Sequence, residues 1–175
     1  MYRGRFAPTP SGPLHLGSLV AAVGSYLDAK AHRGEWLVRI EDVDKPRALP
    51  GAADTILTQL EAHGLEWDGS VLYQSQRDSV YQHQLNQLEN AQRLYQCDCS
   101  RRAIRARSDH YDGYCRNRQP RSTPYALRFI NNNPVDTFND RAHGLLEDHS
   151  ASVSEDFVLK RRDGLYAFQL AVVVD

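Results

Sequence analysis

The sequence has few cysteines and no long apolar run. Three cysteines are an odd number for a disulfide framework, and Cys97 and Cys99 are too close to bridge readily, so a reducing compartment is favoured. No stretch approaches the ~20 apolar residues of a membrane helix, and the sequence begins without a basic and apolar leader. We therefore expect a cytoplasmic protein with no membrane contact, whose cysteines either bind metal or are idle thiols.

The sequence also has almost no net charge, although one segment is strongly basic. The formal charge of −1 argues against a chain that binds nucleic acid over its whole surface. Between Arg101 and Arg121, however, seven arginines and only two aspartates leave a local charge of +5. If a polyanion binds, it should bind there, and a solvated arginine-rich loop is an equally good interpretation.

Strand and helix patterns alternate in the first part of the chain. Residues 2–6 and 35–40 predict two strands, and the apolar residues between them recur at helical spacing until Gly34, which is placed as a C-terminal cap. The predicted buried face of this helix consists of Leu16, Leu19, Val20, Val23 and Leu27. Strand, helix and strand within forty residues imply a right-handed parallel crossover and an α/β fold.

The alternation continues up to residue 94. Pro50 precedes a second helix with one apolar face, which Gly64 ends, and residues 71–73 predict a third strand. Ser75 is a candidate N-cap for a third helix with a narrow apolar stripe. The face of the second helix consists of Ile56, Leu57 and Leu60, and the stripe of the third consists of Tyr81, Leu85 and Leu88.

Regular alternation stops at Tyr95. Only short strand candidates follow, at residues 125–130, 135–138 and 157–160, and the apolar run 167–174 fits a helix or a strand. We interpret residues 95–156 as an inserted subdomain and residues 157–175 as a return to the first domain.

The first helix opens with a turn suited to an anion. A strand, a tight Pro/Gly turn and the sequence His15-Leu16-Gly17-Ser18 direct backbone N–H groups and the helix dipole at one point. Gly17 lets a bound nucleotide approach the backbone, and His15 can donate to a phosphate oxygen while leaving the amides free. A Ser- or Gly-capped helix with His15 on the surface is the alternative.

The cysteines have metal-site spacing. Three thiolates from Cys97, Cys99 and Cys115, with one further donor, would complete a tetrahedral zinc site without an open position. On chemistry alone His110 is a more ordinary fourth ligand than its neighbour Tyr111. Three unrelated reduced thiols are the alternative.

Two long motifs carry a family resemblance. Residues 5–18 resemble the first signature of class I aminoacyl-tRNA synthetases in its glutamyl variant, and residues 38–44 with 50–52 resemble the next block of that subgroup. Residues 17–26 are more similar to a short paralogue, which esterifies glutamate to the queuosine base in the anticodon of tRNA(Asp). The resemblance covers essentially the whole chain.

The resemblance implies a Rossmann-like sheet, of which residues 1–94 form the first half of an ATP- and glutamate-binding domain, with a zinc-binding insert at residues 95–156. It also implies roles for individual residues. The amino-acid pocket would contain Arg5, Ala7, Thr9 and Glu41, with Phe168 where the subgroup usually has tyrosine. ATP would contact Pro8, His15, Gly17 and Ser18, of which the last three are catalytic, and zinc would bind Cys97, Cys99, Tyr111 and Cys115.

In this scheme Glu41 binds the ammonium group of L-glutamate, and a loop carboxylate paired with Arg39 or Arg47 is the alternative. The expected cofactors are ATP, Mg²⁺ and one structural Zn²⁺, and the expected partner of a monomeric enzyme is tRNA(Asp) bearing queuosine. The sequence stops before the lysine loop of the subgroup, so we expect poor glutamate activation by these residues alone. Two other functions stay open: the N-terminal part of an ordinary glutamyl-tRNA synthetase, and a non-catalytic zinc- and tRNA-binding remnant.

Overall fold

The computed structural model describes all 175 residues, which form two compact units. The first consists of Met1–Ser79 together with Asp175, and the second of Val80–Val174. The predicted division at residues 95 and 157 rests on where the alternation of strands and helices stops, and it stays a prediction. None of the helices has both the length and the apolar composition needed to cross a bilayer.

The first unit is built on a three-stranded parallel sheet. Its elements are β1 (Arg3–Phe6), α1 (Leu16–Ala31), β2 (Glu35–Ile40), α2 (Ala52–Ala62) and β3 (Leu72–Tyr73). The strand order is β1-β2-β3, and both strand pairs are parallel, which confirms the predicted crossover and the α/β class. Short 3-10 turns at Lys45–Arg47 and Gln74–Gln76 were not predicted.

The core of this unit lies where β2 meets the two helices. Trp36 is fully buried, and its indole N–H donates to the Oγ of Ser25 on α1 at 2.9 Å, so the polar edge of the ring is satisfied. Ile56 and Leu60 of α2 are also buried, while Leu57 packs at the margin. The apolar face predicted for α2 is therefore confirmed.

The face predicted for α1 is confirmed only in part, because Leu19 and Val23 pack against the core and the other three residues do not. Leu16, Val20 and Leu27 are 78%, 64% and 59% exposed, and the buried residues of this helix are Ala22 and Ala29. The helix lies so close to β1 that a Cβ on Gly4 would stand 2.9 Å from the Cβ of Ala29. Close packing of a helix on a strand selects small residues at the closest approach, and Leu19 and Val23 pack at the margin of the core.

Gly34 is not the left-handed residue of the helix cap, although its amide helps to close α1 by donating to the carbonyl oxygen of Ala29 at 2.9 Å. The helix ends at Ala31, and Arg33 takes the left-handed conformation with φ of 49°. At position 34 an added Cβ would lie 2.3 Å from the carbonyl oxygen of Tyr2, so glycine is required there by the approach of the chain that enters β1.

Ser75 does not cap a helix either. It lies inside the 3-10 turn after β3, and the next helix begins at Asp78. The Ser75 amide and hydroxyl both donate to the carboxylate of Asp42, at 2.7 and 2.6 Å. The predicted N-cap is wrong because the Ser75 hydroxyl, in the turn that follows β3, bonds instead to Asp42 in the segment that follows β2.

The second unit contains an antiparallel sheet and a separate hairpin. Its elements are α3 (Asp78–Asn90), which starts at the unit boundary, β4 (Leu94–Cys97), α4 (Arg101–Arg105), β5 (Ala126–Phe129), β6 (Thr137–Asp140), β7 (Gly144–Glu147), β8 (Val158–Lys160) and α5 (Phe168–Val174). Strands β4, β5 and β8 form the sheet in the order β4-β5-β8, and β6 pairs with β7. The ambiguous run 167–174 is therefore a helix. Tyr81 and Leu85 of α3 are buried, as predicted.

Candidate functional site

The turn between β1 and α1 borders a hollow of about 370 Å³. Pro8, His15 and Ser18 of the predicted ATP site line it. Ala7 and Thr9 of the predicted amino-acid pocket line the same hollow. The start of α1 thus brings five predicted site residues to one cavity.

His15 is the N-cap of α1. Its Nδ1 accepts from the Ser18 amide at 3.2 Å, and its Nε2 lies 3.1 Å from the Ser18 hydroxyl. The prediction that His15 leaves the amides free is therefore wrong for Ser18, because the ring satisfies one of the unpaired donors at the helix start. A Cβ at Gly17 would lie 3.1 Å from the His15 ring, so glycine leaves room for that ring.

Glu41 follows directly after β2 and is joined to the same turn. Its amide donates to the carbonyl oxygen of Pro8 at 2.9 Å, and Pro8 lines the hollow together with His15. Its carboxylate accepts from Arg39 at 2.7 Å, and the two side chains are only 10% and 3% exposed. Of the two pairings considered for Glu41, the structure has the one with Arg39, while Arg47 pairs with Asp44 at 2.8 Å.

Arg5 lies at a second hollow, of about 450 Å³, whose lining includes Arg39, Arg77 and Asp175. Burial and the nearby positive charge of Arg39 lower the pKa of Arg5, and Glu41 opposes this shift. Arg5 thus lines a different hollow from Ala7 and Thr9, although its charge interacts with that of Glu41. Phe168 belongs to the other unit, where it begins α5 and is 52% exposed.

Arg39, which the sequence indicates only as a possible partner of Glu41, is a functional candidate in its own right. The residue is 2% exposed, and its Nε and Nη1 are buried without a hydrogen-bond partner. The available signal was a charged residue among the apolar residues of β2 that follow Glu35, since charged residues are rarely buried unless they are paired.

The three cysteines gather at the end of β4. The Sγ atoms of Cys97, Cys99 and Cys115 all lie within 4.8 Å of one another. Tyr111 is buried beside them, and its hydroxyl oxygen accepts from the Cys115 amide at 2.9 Å. His110 is outside this cluster, with its Nδ1 at 3.5 Å from the Ser108 hydroxyl. Three sulfur atoms and a buried phenol oxygen fit the donor set of a closed zinc site.

Hydrogen bonds and burial act in opposite directions on these thiols. Burial alone would raise the pKa of Cys97, but hydrogen bonds from the Cys99 amide, Tyr111 and Arg128 lower it. Burial raises the pKa of Cys115 and that of Tyr111. The guanidinium carbon of Arg128 lies 3.6 Å from the centroid of the Tyr111 ring, a cation–π contact inside the cluster.

The arginine-rich segment divides into paired and exposed residues. Arg107, Arg116 and Arg118 bind the carboxylates of Asp112, Asp156 and Asp98. The others are exposed, and they are Arg101, Arg102, Arg105 and Arg121. The surface available to a polyanion is therefore smaller than the count of seven arginines suggested.

A parallel sheet in which a helix N-terminus follows the first strand defines a class, the Rossmann-like nucleotide-binding proteins. The family model of the class I tRNA synthetases (E and Q), catalytic domain, matches residues 1–175, and the chain belongs to this family. The chain is 99% identical over 175 residues to the glutamyl-Q tRNA(Asp) synthetase of Idiomarina loihiensis and covers 62% of it. It is 54% identical over 174 residues to the glutamyl-Q tRNA(Asp) synthetase of Yersinia pestis, of which it covers 54%.

A solved structure shows the same fold. The glutamate tRNA ligase from Elizabethkingia meningosepticum, in complex with its amino acid, matches with a TM-score of 0.81 and 29% identity, over 99% of this chain and 41% of that chain. The chain thus spans little more than half the length of the curated relatives that it matches.

Proposed function

We propose that the chain forms the N-terminal part of an enzyme that activates L-glutamate with ATP and transfers it to the queuosine base of tRNA(Asp). The observation that carries the proposal is the hydrogen bond from the Glu41 amide to the carbonyl oxygen of Pro8, because Pro8 lines one hollow together with His15 at the start of α1. The queuosine acceptor is supported by the relatives named glutamyl-Q tRNA(Asp) synthetase, which are 52% to 99% identical to this chain, whereas the glutamate tRNA ligase of known structure is 29% identical.

In the proposed first step, the α-carboxylate of glutamate attacks the α-phosphorus of ATP, and pyrophosphate leaves. Glu41 binds the ammonium group of the amino acid, and Arg39 keeps the Glu41 carboxylate in place through the 2.7 Å bond. The amides at the start of α1 and the His15 ring stabilise charge on the phosphate, since donors fixed in advance need no reorganisation. Mg²⁺, when bound with ATP, would neutralise charge on the β- and γ-phosphates.

In the second step a hydroxyl of the queuosine base attacks the acyl carbon, and AMP leaves. Cys97, Cys99, Cys115 and Tyr111 would hold one structural Zn²⁺, which would fix the end of β4 to the segment around Tyr111. The exposed arginines near this site would face the tRNA backbone. A monomer and a cytoplasmic location stay predictions.

The amino-acid role of Glu41 can be tested by glutamate-dependent ATP–pyrophosphate exchange. The chain should be joined to the C-terminal residues by which the Idiomarina relative exceeds it. Glu41→Gln should raise the KM for glutamate about 100-fold, because an ammonium group loses a charged partner worth roughly 3 kcal/mol. Glu35→Gln is the matched control, since Glu35 is exposed and pairs with Arg3 on the surface. An unchanged KM in Glu41→Gln would refute the assignment.

The acceptor can be tested with labelled glutamate and the same joined protein. Queuosine-containing tRNA(Asp) should be labelled, whereas tRNA(Asp) with unmodified guanosine and tRNA(Glu) should not. Labelling of tRNA(Glu) instead would indicate an ordinary glutamyl-tRNA synthetase. Binding of tRNA without any pyrophosphate exchange would indicate a non-catalytic module.

A further inference from the structure

Two guanidinium groups reach the sulfur atoms of the cysteine cluster. The Nη2 of Arg118 lies 3.1 Å from the Sγ of Cys115 and 4.0 Å from that of Cys99. The Nη2 of Arg107 lies 3.8 Å from the Sγ of Cys99. Both arginines therefore direct a charged N–H donor at a candidate metal ligand, which a solvated arginine would not do.

Each of these arginines is also held in place by a carboxylate. Arg107 donates to both oxygens of Asp112, at 2.9 and 3.1 Å, and Arg118 donates to Asp98. Both guanidiniums also lie over the ring of Tyr114, with their central carbons 4.3 and 4.8 Å from its centroid. A guanidinium fixed at several points loses little further entropy when it binds an anion.

The charge of the proposed zinc site requires such donors. Three thiolates on one Zn²⁺ leave an excess of at least one negative charge, and two of the sulfurs are almost completely buried. Asp98 adds a further negative charge, because its Oδ1 lies 3.9 Å from the Sγ of Cys115. The Arg118 nitrogen, at 3.1 Å, is closer to that sulfur than the carboxylate is.

We propose that Arg107 and Arg118 are positioning residues of the zinc site, whose guanidiniums balance the excess negative charge of the sulfur ligands and so retain the metal. The inference rests on the zinc site of the proposed function. It predicts a larger effect for Arg118, because its removal would leave the Asp98 carboxylate facing the Cys115 sulfur without a cation between them.

The test is the zinc affinity of the purified 175-residue chain, measured by competition with a chromophoric chelator. Arg118→Met should weaken zinc binding between about 10- and 100-fold, as loss of a partner that orients a metal ligand does, and Arg107→Met should weaken it less. Arg105→Met is the matched control, because Arg105 is exposed in the same segment, and its affinity should equal that of the unaltered chain.

Two further variants separate charge from folding. Arg118→Lys should keep part of the affinity, and the double variant Asp98→Asn with Arg118→Met should bind zinc more tightly than Arg118→Met alone, since the opposing carboxylate is gone. The sulfur-to-metal charge-transfer bands of the Co²⁺-substituted variants should match those of the unaltered chain, because all three cysteines are retained. If Arg118→Met does not fold, Arg107→Met carries the test, since its side chain is more exposed, at 30% against 20%.

The two possible failures are distinguishable. Metal analysis that finds no zinc in the unaltered chain after incubation with zinc would overturn the metal site itself, and this inference with it. Zinc that binds Arg118→Met and Arg107→Met as tightly as Arg105→Met would overturn the charge-balancing role and leave the site in place.

Discussion

Asp156 is the most heavily bonded carboxylate of the second unit, and its replacement gives the sharpest stability prediction. The residue is 2% exposed and accepts from the Tyr95 hydroxyl at 2.6 Å and from the Asn131 amide at 2.9 Å. Arg116 donates to both of its oxygens. The substitution Asp156→Asn keeps the shape of the side chain but turns one acceptor into a donor that faces other donors.

The size of the effect follows from these four bonds. A hydrogen bond to a charged group contributes ~1.5–3 kcal/mol, and breaking a buried ion pair costs ~3–5 kcal/mol. The Arg116 side chain is 36% exposed, so water replaces part of what it loses. We therefore expect Asp156→Asn to lower the free energy of unfolding by about 3 kcal/mol at pH 7. Asp163→Asn is the control, because Asp163 is 48% exposed in its pair with Arg161 and should cost less than ~1 kcal/mol.

Urea unfolding followed by far-UV circular dichroism measures this difference, and hydrogen exchange of the Asn131 amide localises it. The pH dependence provides a second check. Burial alone would raise the pKa of Asp156, but the bonds from Arg116, Tyr95 and the Asn131 amide lower it below its ordinary value. Asp156 therefore contributes its full stabilisation above a pH of about 3.9, the ordinary pKa of an aspartate. This stabilisation is lost as the pH falls through the lower pKa of the folded state. An Asp156→Asn variant as stable as Asp163→Asn at pH 7 would refute this account.

Two further substitutions, both followed by urea unfolding, test the roles that the structure gives to Gly34 and Ser75 in the first unit. Gly34→Ala should lower the free energy of unfolding by about 2 kcal/mol, because the new Cβ would lie 2.3 Å from the Tyr2 carbonyl oxygen. The control is Gly24→Ala, inside α1 with open space around it, which should raise the free energy of unfolding by ~0.5–1 kcal/mol. Equal effects of the two substitutions would contradict the close approach at Gly34. Ser75→Ala should lower the free energy of unfolding by about 1–2 kcal/mol, because the 2.6 Å hydrogen bond from the Ser75 hydroxyl to Asp42 is lost. An unchanged free energy would show that the bond from the Ser75 amide to Asp42 is sufficient.

The parts of the fold that were predictable depend on residues adjacent in sequence. Strands β1 and β2 and the apolar face of α2 followed from local alternation and helical spacing. The buried face of α1 followed only in part, because its deepest residues depend on how closely the helix approaches β1, and periodicity does not contain that distance. Small residues such as Ala22 and Ala29 carry little hydrophobic signal, although they pack deepest.

The same distinction applies to the candidate site. The cysteine pattern pointed to a metal cluster because thiols that lie in a cysteine-poor chain are conspicuous in the sequence, and the structure gathers them. The charge balance around them could not be read in this way, because Arg107 and Arg118 look like any other arginines of a basic segment. They differ from Arg105 in their two partners, a carboxylate and a sulfur, and the folded loop brings both partners to each of them. A basic segment therefore has to be divided by the contacts of each arginine before any of its charge is assigned to a nucleic acid.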